Sequence, residues 1–274
     1  MIKAGKQIFI STVLFTSISM GMFSGCKKDN SPPPFTTYQL VKADVLGVSG
    51  TVTFTQTNST TTTVVITLAG SDSASHPAQI NMNSAVQGGA VAVKLNPVTN
   101  GSSTTLVNTL NNSSAINYSQ LIAYNGYVSI IESSINDTLI IAQGDIGGNL
   151  LTGTSKTYTL DTVGTAGVSG TALFQMRTNG NTLASISLVG TIANGSYPAA
   201  IQLGSEQTVG GGPIEVTLNP VDGTSGKSYT NISMLDGGTA LTYNDLLVYD
   251  GYLAVRQSAS ISSTILCEGN IGTH

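Results

Sequence analysis

Two histidines, two cysteines, ten lysines and arginines and fourteen acidic residues make up the whole stock of charged and ligating side chains in this 274-residue sequence. Their placement narrows the chemistry further. His274 is the last residue, and His76 stands alone in the interior, directly before Pro77. Zinc-finger and haem sites need more thiol and imidazole ligands than this scatter supplies. A Ser–His–Asp hydrolase would depend on His76 alone, and no nucleophile-elbow motif accompanies it. His76 is therefore read first as a turn residue and only second as a weak metal candidate. Asp44, Asp72, Asp137, Asp145, Asp161, Asp222, Asp236, Asp245 and Asp250 are spread over turn-like stretches without the spacing of a calcium loop. Nothing in that spacing selects a carboxylate pair for glycoside hydrolysis. Cys267, inside Ile265-Leu266-Cys267, reads as a small core residue, because a nucleophile would want a base beside it. Tyr124 and Tyr249 are the candidate binding surface, with packing the favoured role for both. No catalytic residue and no cofactor is assigned.

The elements that must position these groups are strands. Only 9% of residues are charged, against roughly 25% in an ordinary globular protein, and Thr, Ser, Asn and Gly fill much of the remainder. That mixture suits extended chain and tight turns more than helix. Thr51 to Thr55, Val64 to Leu68 and Val91 to Leu95 alternate apolar and polar residues, as do Leu183 to Leu188 and Ile214 to Leu218. Gly88-Gly89, Asn100-Gly101, Gly210 to Gly212, Asp222-Gly223 and Asp236 to Gly238 supply turns between them. Thr60 to Thr63 reads as a hairpin rim with little to bury. Two short helical pieces are predicted over Tyr118–Tyr124 and Tyr243–Tyr249, with Asn117 and Thr242 as N-caps. Ten cations in 274 residues argue against a nucleic-acid partner.

Internal similarity is the strongest signal. Thr37-Tyr38-Gln39-Leu40 returns as Thr157-Tyr158-Thr159-Leu160, and Gly47 to Thr51 returns as Gly167 to Thr171, both at an offset of 120. Leu95-Asn96-Pro97-Val98 matches Leu218-Asn219-Pro220-Val221 at 123, and Asn125-Gly126-Tyr127 matches Asp250-Gly251-Tyr252 at 125. Gly144 to Gly147 matches Gly269 to Gly272 at the same 125. The body is thus two copies, 37–147 and 157–272, separated by a Gly/Thr/Ser linker at 148–156, each long enough for its own core.

The amino terminus reads as an address. Lys3 and Lys6 precede a short apolar stretch from Ile8 to Ile18, and small residues follow, so 1–25 is expected to be a signal peptide. Phe23-Ser24-Gly25-Cys26 resembles the lipobox of bacterial lipoproteins, which implies that Cys26 is lipid-modified. Residues 26–36, with Lys27-Lys28-Asp29-Asn30 and Pro32 to Pro34, then form a charged, proline-rich tether. Removal of Lys3 and Lys6 with the signal leaves eight cations against fourteen acids, a net charge of −6.

The repeated motifs themselves resemble the CHRD (chordin-like) domain. They are Gly47-Val48-Ser49-Gly50-Thr51, His76-Pro77-Ala78, Leu95 to Val98, Leu121 to Tyr127 and Ala142 to Gly147, with their second-copy partners. The resemblance implies an all-β fold of two tandem immunoglobulin-like, Cu,Zn-superoxide-dismutase-like antiparallel β-sandwiches. Many bacterial members carry His-Pro-Ala-His-Ile-His where this chain has His76 to Asn81, and a further His at the place of Ile131. Here Gln79, Asn81 and Ile131 replace three of them, and copy 2 has Tyr197, Ala200, Gln202 and Arg256. Amides are poor copper or zinc ligands and a guanidinium repels a cation. The expectation is a non-enzymatic lipoprotein, anchored to the bacterial outer membrane through Cys26 and a candidate for the cell surface. It would bind an envelope protein or glycan or serve a structural role. The alternatives are a copper-, zinc- or calcium-binding or redox-related envelope protein, and a metal-dependent or glycan-active enzyme.

Overall fold

The computed structural model describes residues 31–43, 47–206, 211–261 and 263–274. The expected signal peptide at 1–25, the lipidation site Cys26 and the start of the tether lie outside the described residues. Residues Pro33–His274 form one compact unit.

Repeat 1 contains β1 (Phe35–Lys42), β2 (Ser49–Gln56), β3 (Thr62–Ala69), β4 (His76–Met82), β5 (Val91–Val98), β6 (Ser102–Val107), the one-turn helix α1 (Tyr118–Leu121), β7 (Gly126–Ile131) and β8 (Ile140–Ile146). Repeat 2 runs through β9 (Leu151–Thr162), β10 (Ser169–Arg177), β11 (Thr182–Val189), β12 (Ser196–Leu203), β13 (Ile214–Asp222), β14 (Lys227–Ile232), α2 (Tyr243–Leu246), β15 (Asp250–Arg256) and β16 (Ile265–Gly272). The fold is all-β, with two eight-stranded antiparallel sheets. Strand order in the first is β5-β4-β7-β8-β1-β2-β3-β6, and the second keeps the equivalent order and closes into a barrel.

Closure of the second sheet comes from the β13–β14 hairpin, where Asp222 pairs with Lys227, while the corresponding hairpin of repeat 1 carries only an isolated bridge from Thr99 to Ser102 and that sheet stays open. The repeat 1 turn is Asn100-Gly101, both residues at positive φ, the conformation that a two-residue hairpin of this hand demands. The Leu-Asn-Pro-Val motif explains what holds the seam. Proline has no N–H to give the ladder, and the β4–β5 register shifts there. The preceding asparagine compensates: Asn96 donates from Nδ2 to Thr104 O at 2.7 Å, and Asn219 from Nδ2 to Tyr229 O at 2.6 Å.

Alternation along the strands sends one set of side chains inward. In repeat 1 Tyr38, Val52, Phe54, Ile66, Ile80, Val128 and Ile141 form the core, and repeat 2 builds its own from Tyr158, Ala172, Phe174, Ile186, Ile201 and Leu253. The same edge-to-face pair sits in each, Tyr38–Phe54 at 5.5 Å and Tyr158–Phe174 at 5.3 Å. The hairpin-rim expectation for Thr60 to Thr63 holds at Thr60, which is exposed in the β2–β3 turn, and fails at Thr62, which is fully buried at the start of β3, as its counterpart Thr182 is at the start of β11. A threonine run carries no pattern that separates a rim from a strand end.

Residues 148–156 are not a free linker in the structure. A 3-10 turn over Gly147–Asn149 leads directly into β9, whose first residue Leu151 pairs with Arg177 of β10. The β10–β11 hairpin grips that passage. Thr178 N donates to Leu150 O at 2.8 Å, Thr178 Oγ1 to Gly147 O at 3.0 Å, and Asn179 Nδ2 to Asn125 Oδ1 at 2.9 Å. Gly147 has φ +59, and a Cβ there would stand 2.2 Å from Tyr124 O, so only glycine lets repeat 1 turn out towards repeat 2.

Candidate functional site

At this junction the structure gathers groups that the sequence leaves apart. Gln143 and Asp145 lie two apart on β8, so both point away from the repeat 1 core. Thr37, Gln39 and Val41 of β1 line one side of them, Ala85 and Val86 the other, and Leu150 and Leu151 close the end where the chain enters repeat 2. Together they surround a cleft of about 470 Å³. Val41, Val86 and Leu151 are exposed apolar residues at its rim.

The floor is polar and only partly satisfied. Asp145 Oδ1 accepts from Ala85 N at 2.7 Å, which fixes the loop after β4 over the strand. Asp145 Oδ2 lies 3.7 Å from Arg177 Nη1, too far for a hydrogen bond. Gln143 Oε1 is buried with no partner. Arg177, fully buried behind the floor, donates Nη1 to Asn149 O at 2.6 Å, while its Nε and Nη2 have no partner. Burial pushes the Asp145 carboxyl above its usual range, although the Ala85 N–H and the guanidinium pull the other way. Burial likewise pulls Arg177 down, against the attraction of Asp145. Desolvation therefore outweighs attraction at both partners.

The sequence-predicted residues lie elsewhere. His76 is buried at the start of β4, with Nδ1 2.7 Å from Glu132 O and Nε2 3.0 Å from Asp72 Oδ1. Each ring nitrogen thus faces an oxygen of the protein itself, so neither is open to an ion. The work this does is visible in repeat 2, where Tyr197 takes the same place and its hydroxyl accepts from Ile192 N at 2.8 Å. Each residue ties down the loop that precedes its strand. Gln79 and Ile131 line a separate cleft of about 460 Å³ with Lys94 and Asp137, and Asn81 donates to Ser129 Oγ at 2.8 Å. In repeat 2 Arg256 Nη2 donates to Gln202 Oε1 at 2.9 Å. This donor set does not fit copper or zinc, and among the described residues no three His, Cys, Asp or Glu side chains converge on one point.

Tyr124 and Tyr249, the candidate binding surface, are half-buried and pack against their respective cores. Each ring lies over the glycine two residues on: a Cβ on Gly126 or Gly251 would stand 2.7 Å from the ring. That contact explains why Asn125-Gly126-Tyr127 and Asp250-Gly251-Tyr252 need glycine at the centre. Asn117 and Thr242 cap α1 and α2, each in a reciprocal capping box with Gln120 or Asp245. Cys267 is fully buried, and burial first, then Glu268, pushes its thiol up to about 12.

Sequence reasoning missed Gln143 and the special place of Asp145. The available signal was the comparison of the two copies. Where repeat 1 has Val41, Ala85, Gln143 and Asp145, repeat 2 has Asp161, Glu206, Glu268 and Asn270. The backbone arrangement is shared, since Glu206 N donates to Asn270 Oδ1 at 2.9 Å as Ala85 N does to Asp145. The chemistry differs: an apolar rim in repeat 1 becomes acidic in repeat 2.

No family model, no curated protein and no solved structure matches this chain. Among the described residues no helix is long and apolar enough to cross a membrane.

Proposed function

We propose that this chain is a lipid-anchored protein of the bacterial outer membrane, in which two CHRD-like β-sandwiches act as one rigid module for binding or structural support. The observation that carries this reading is Cys26 behind Phe23-Ser24-Gly25, followed by a proline-rich tether and a duplicated all-β body. Several acyl chains on one cysteine would hold the protein firmly, since each buried methylene contributes roughly 0.8 kcal/mol. A rigid tandem suits a module that presents one fixed surface, because hydrogen bonds across the junction remove the freedom of a jointed pair. The role is non-catalytic, with an envelope protein or a glycan as partner.

The test is membrane partition. The full chain sediments with membranes and takes up labelled palmitate, and Cys26→Ser moves it to the soluble fraction without label. A precursor whose mobility is unchanged when lipoprotein signal processing is inhibited would overturn the anchor.

A further inference from the structure

We propose that the cleft between β1, β8, the loop after β4 and the start of β9 is a binding site for a primary ammonium group on a short hydrocarbon stem. Three observations point to that chemistry. First, the unpaired polar atoms on the side chains that line the cleft are acceptors, whereas the unpaired donors, Arg177 Nε and Nη2, belong to a side chain outside that lining. Gln143 Oε1 is buried without a partner, and among the described residues no hydrogen bond reaches Asp145 Oδ2. A buried acceptor left unmade is costly, so a ligand that enters must bring donors. Second, the rim is apolar: Val41, Val86, Leu150 and Leu151 offer hydrocarbon contact to whatever carries the donor group. A cation with its charge at the floor and methylene groups along the rim matches both surfaces. Third, the sister repeat shows that the fold does not require this pairing. Asp161 and Glu206 place carboxylates where repeat 1 has Val41 and Ala85, which removes the apolar wall.

Arg177 approaches Asp145 from the protein side and spends Nη1 on Asn149 O, so the carboxylate keeps an open oxygen. Burial holds that carboxyl above its usual range, and an ammonium would favour its ionised form, so binding weakens on acidification. The same ammonium occurs on free alkylamines and on lysine side chains of partner proteins.

Isothermal titration calorimetry of the full chain in a nonionic detergent tests the inference. The probes are n-butylammonium chloride, acetyl-Gly-Lys-Gly-amide, n-butanol and ammonium chloride. Saturable one-to-one heat is expected with butylammonium or the lysine peptide, and none with ammonium chloride, which lacks the stem. A tighter lysine peptide identifies a partner protein as the source, and a tighter butylammonium identifies a small amine. D145N removes the carboxylate and V41S removes the apolar wall without adding a charge; each should weaken binding, D145N by about tenfold or more, and circular dichroism checks that each variant keeps its strand content. Absence of saturable heat with both amines overturns the proposal. So does butanol binding as tightly as butylammonium, or binding that survives both substitutions. Calorimetry reads the cleft and membrane partition reads the anchor, so either reading can fail without the other.

Discussion

Replacing Arg177 by methionine separates the attraction at the repeat junction from its desolvation cost. The guanidinium and the Asp145 carboxylate are 3.7 Å apart, which at an effective dielectric of about 20 is worth ~4.5 kcal/mol. The bond from Nη1 to Asn149 O adds about 1.5–3 kcal/mol, the usual range for a charged donor. Against these stand the burial of the cation, which costs several kcal/mol, and two unpartnered N–H groups at about 1–3 kcal/mol each. Met relieves the cation's burial but leaves Asp145 buried without its counter-charge. Arg177→Met should therefore cost about 2–4 kcal/mol near neutral pH. With the guanidinium gone, the folded carboxyl lies still further above its unfolded value, so in that window the folded state binds more protons than the unfolded one. Stability then falls as pH rises, and the deficit is small in acid and grows towards neutrality. Arg177→Met/Asp145→Asn should recover most of the loss. Urea unfolding followed by circular dichroism, over a series of pH values, measures all four corners of the cycle. A deficit that is independent of pH and unrelieved by the second substitution would refute the coupling.

Three other outcomes follow from the same geometry. Glu268→Gln, which installs the residue type that repeat 1 has at Gln143, should stabilise the fold near neutral pH. The Glu268 carboxyl is raised by burial and then by Glu206, despite Arg256, so its ionisation is unfavourable and the gain should fade in acid, as thermal melts across pH would show. Cys267 should resist a thiol reagent in the native protein and react fully in denaturant, because its sulfur is buried and its thiol lies at about 12; native labelling at the rate of a free thiol would contradict the packing. Asn96→Ala and Asn219→Ala should each lower stability by about 1–2 kcal/mol in urea unfolding, with Thr104 O or Tyr229 O left without its donor.

How much of this was legible depended on whether a residue's role is written in its own neighbourhood. Strands such as Thr51 to Thr55 announce themselves because one face of a sheet imposes a period of two, and the observed strand extends the run only to Ser49–Gln56. The caps at Asn117 and Thr242 were equally readable, since a cap acts on the three residues that follow it. At 148–156, expected as a linker, the strand stays hidden for the opposite reason. Its Gly, Thr and Ser composition suits a linker, but its partners are Arg177, Thr178 and Asn179 on a hairpin about thirty residues away. Arg177 itself carries no local sign of burial, because the carbonyl that receives it lies in the passage between the repeats and the carboxylate beside it lies in the other repeat.

The comparison between copies reaches further than either copy alone, and it bears on why the two are joined. Duplication first yields two equal surfaces, and any later difference between them reflects what each place has come to do or has been freed from doing. At the tie of the loop before β4 and β12 the difference is one of means only: His76 and Tyr197 hold the same loop by different atoms. At the β8 and β16 floors the difference is one of kind, because the loop contact is retained at both Asp145 and Asn270 while the wall changes from Val41 to Asp161. The remaining wall of the repeat 1 cleft, Leu150 and Leu151, is the passage into repeat 2, and the guanidinium that balances its floor comes from β10. A cleft whose end wall and counter-charge come from the second repeat exists only because the repeats are fused. Separating them by a flexible insertion after Asn149 would leave both cores intact and open the cleft, which predicts loss of amine binding with little change in strand content.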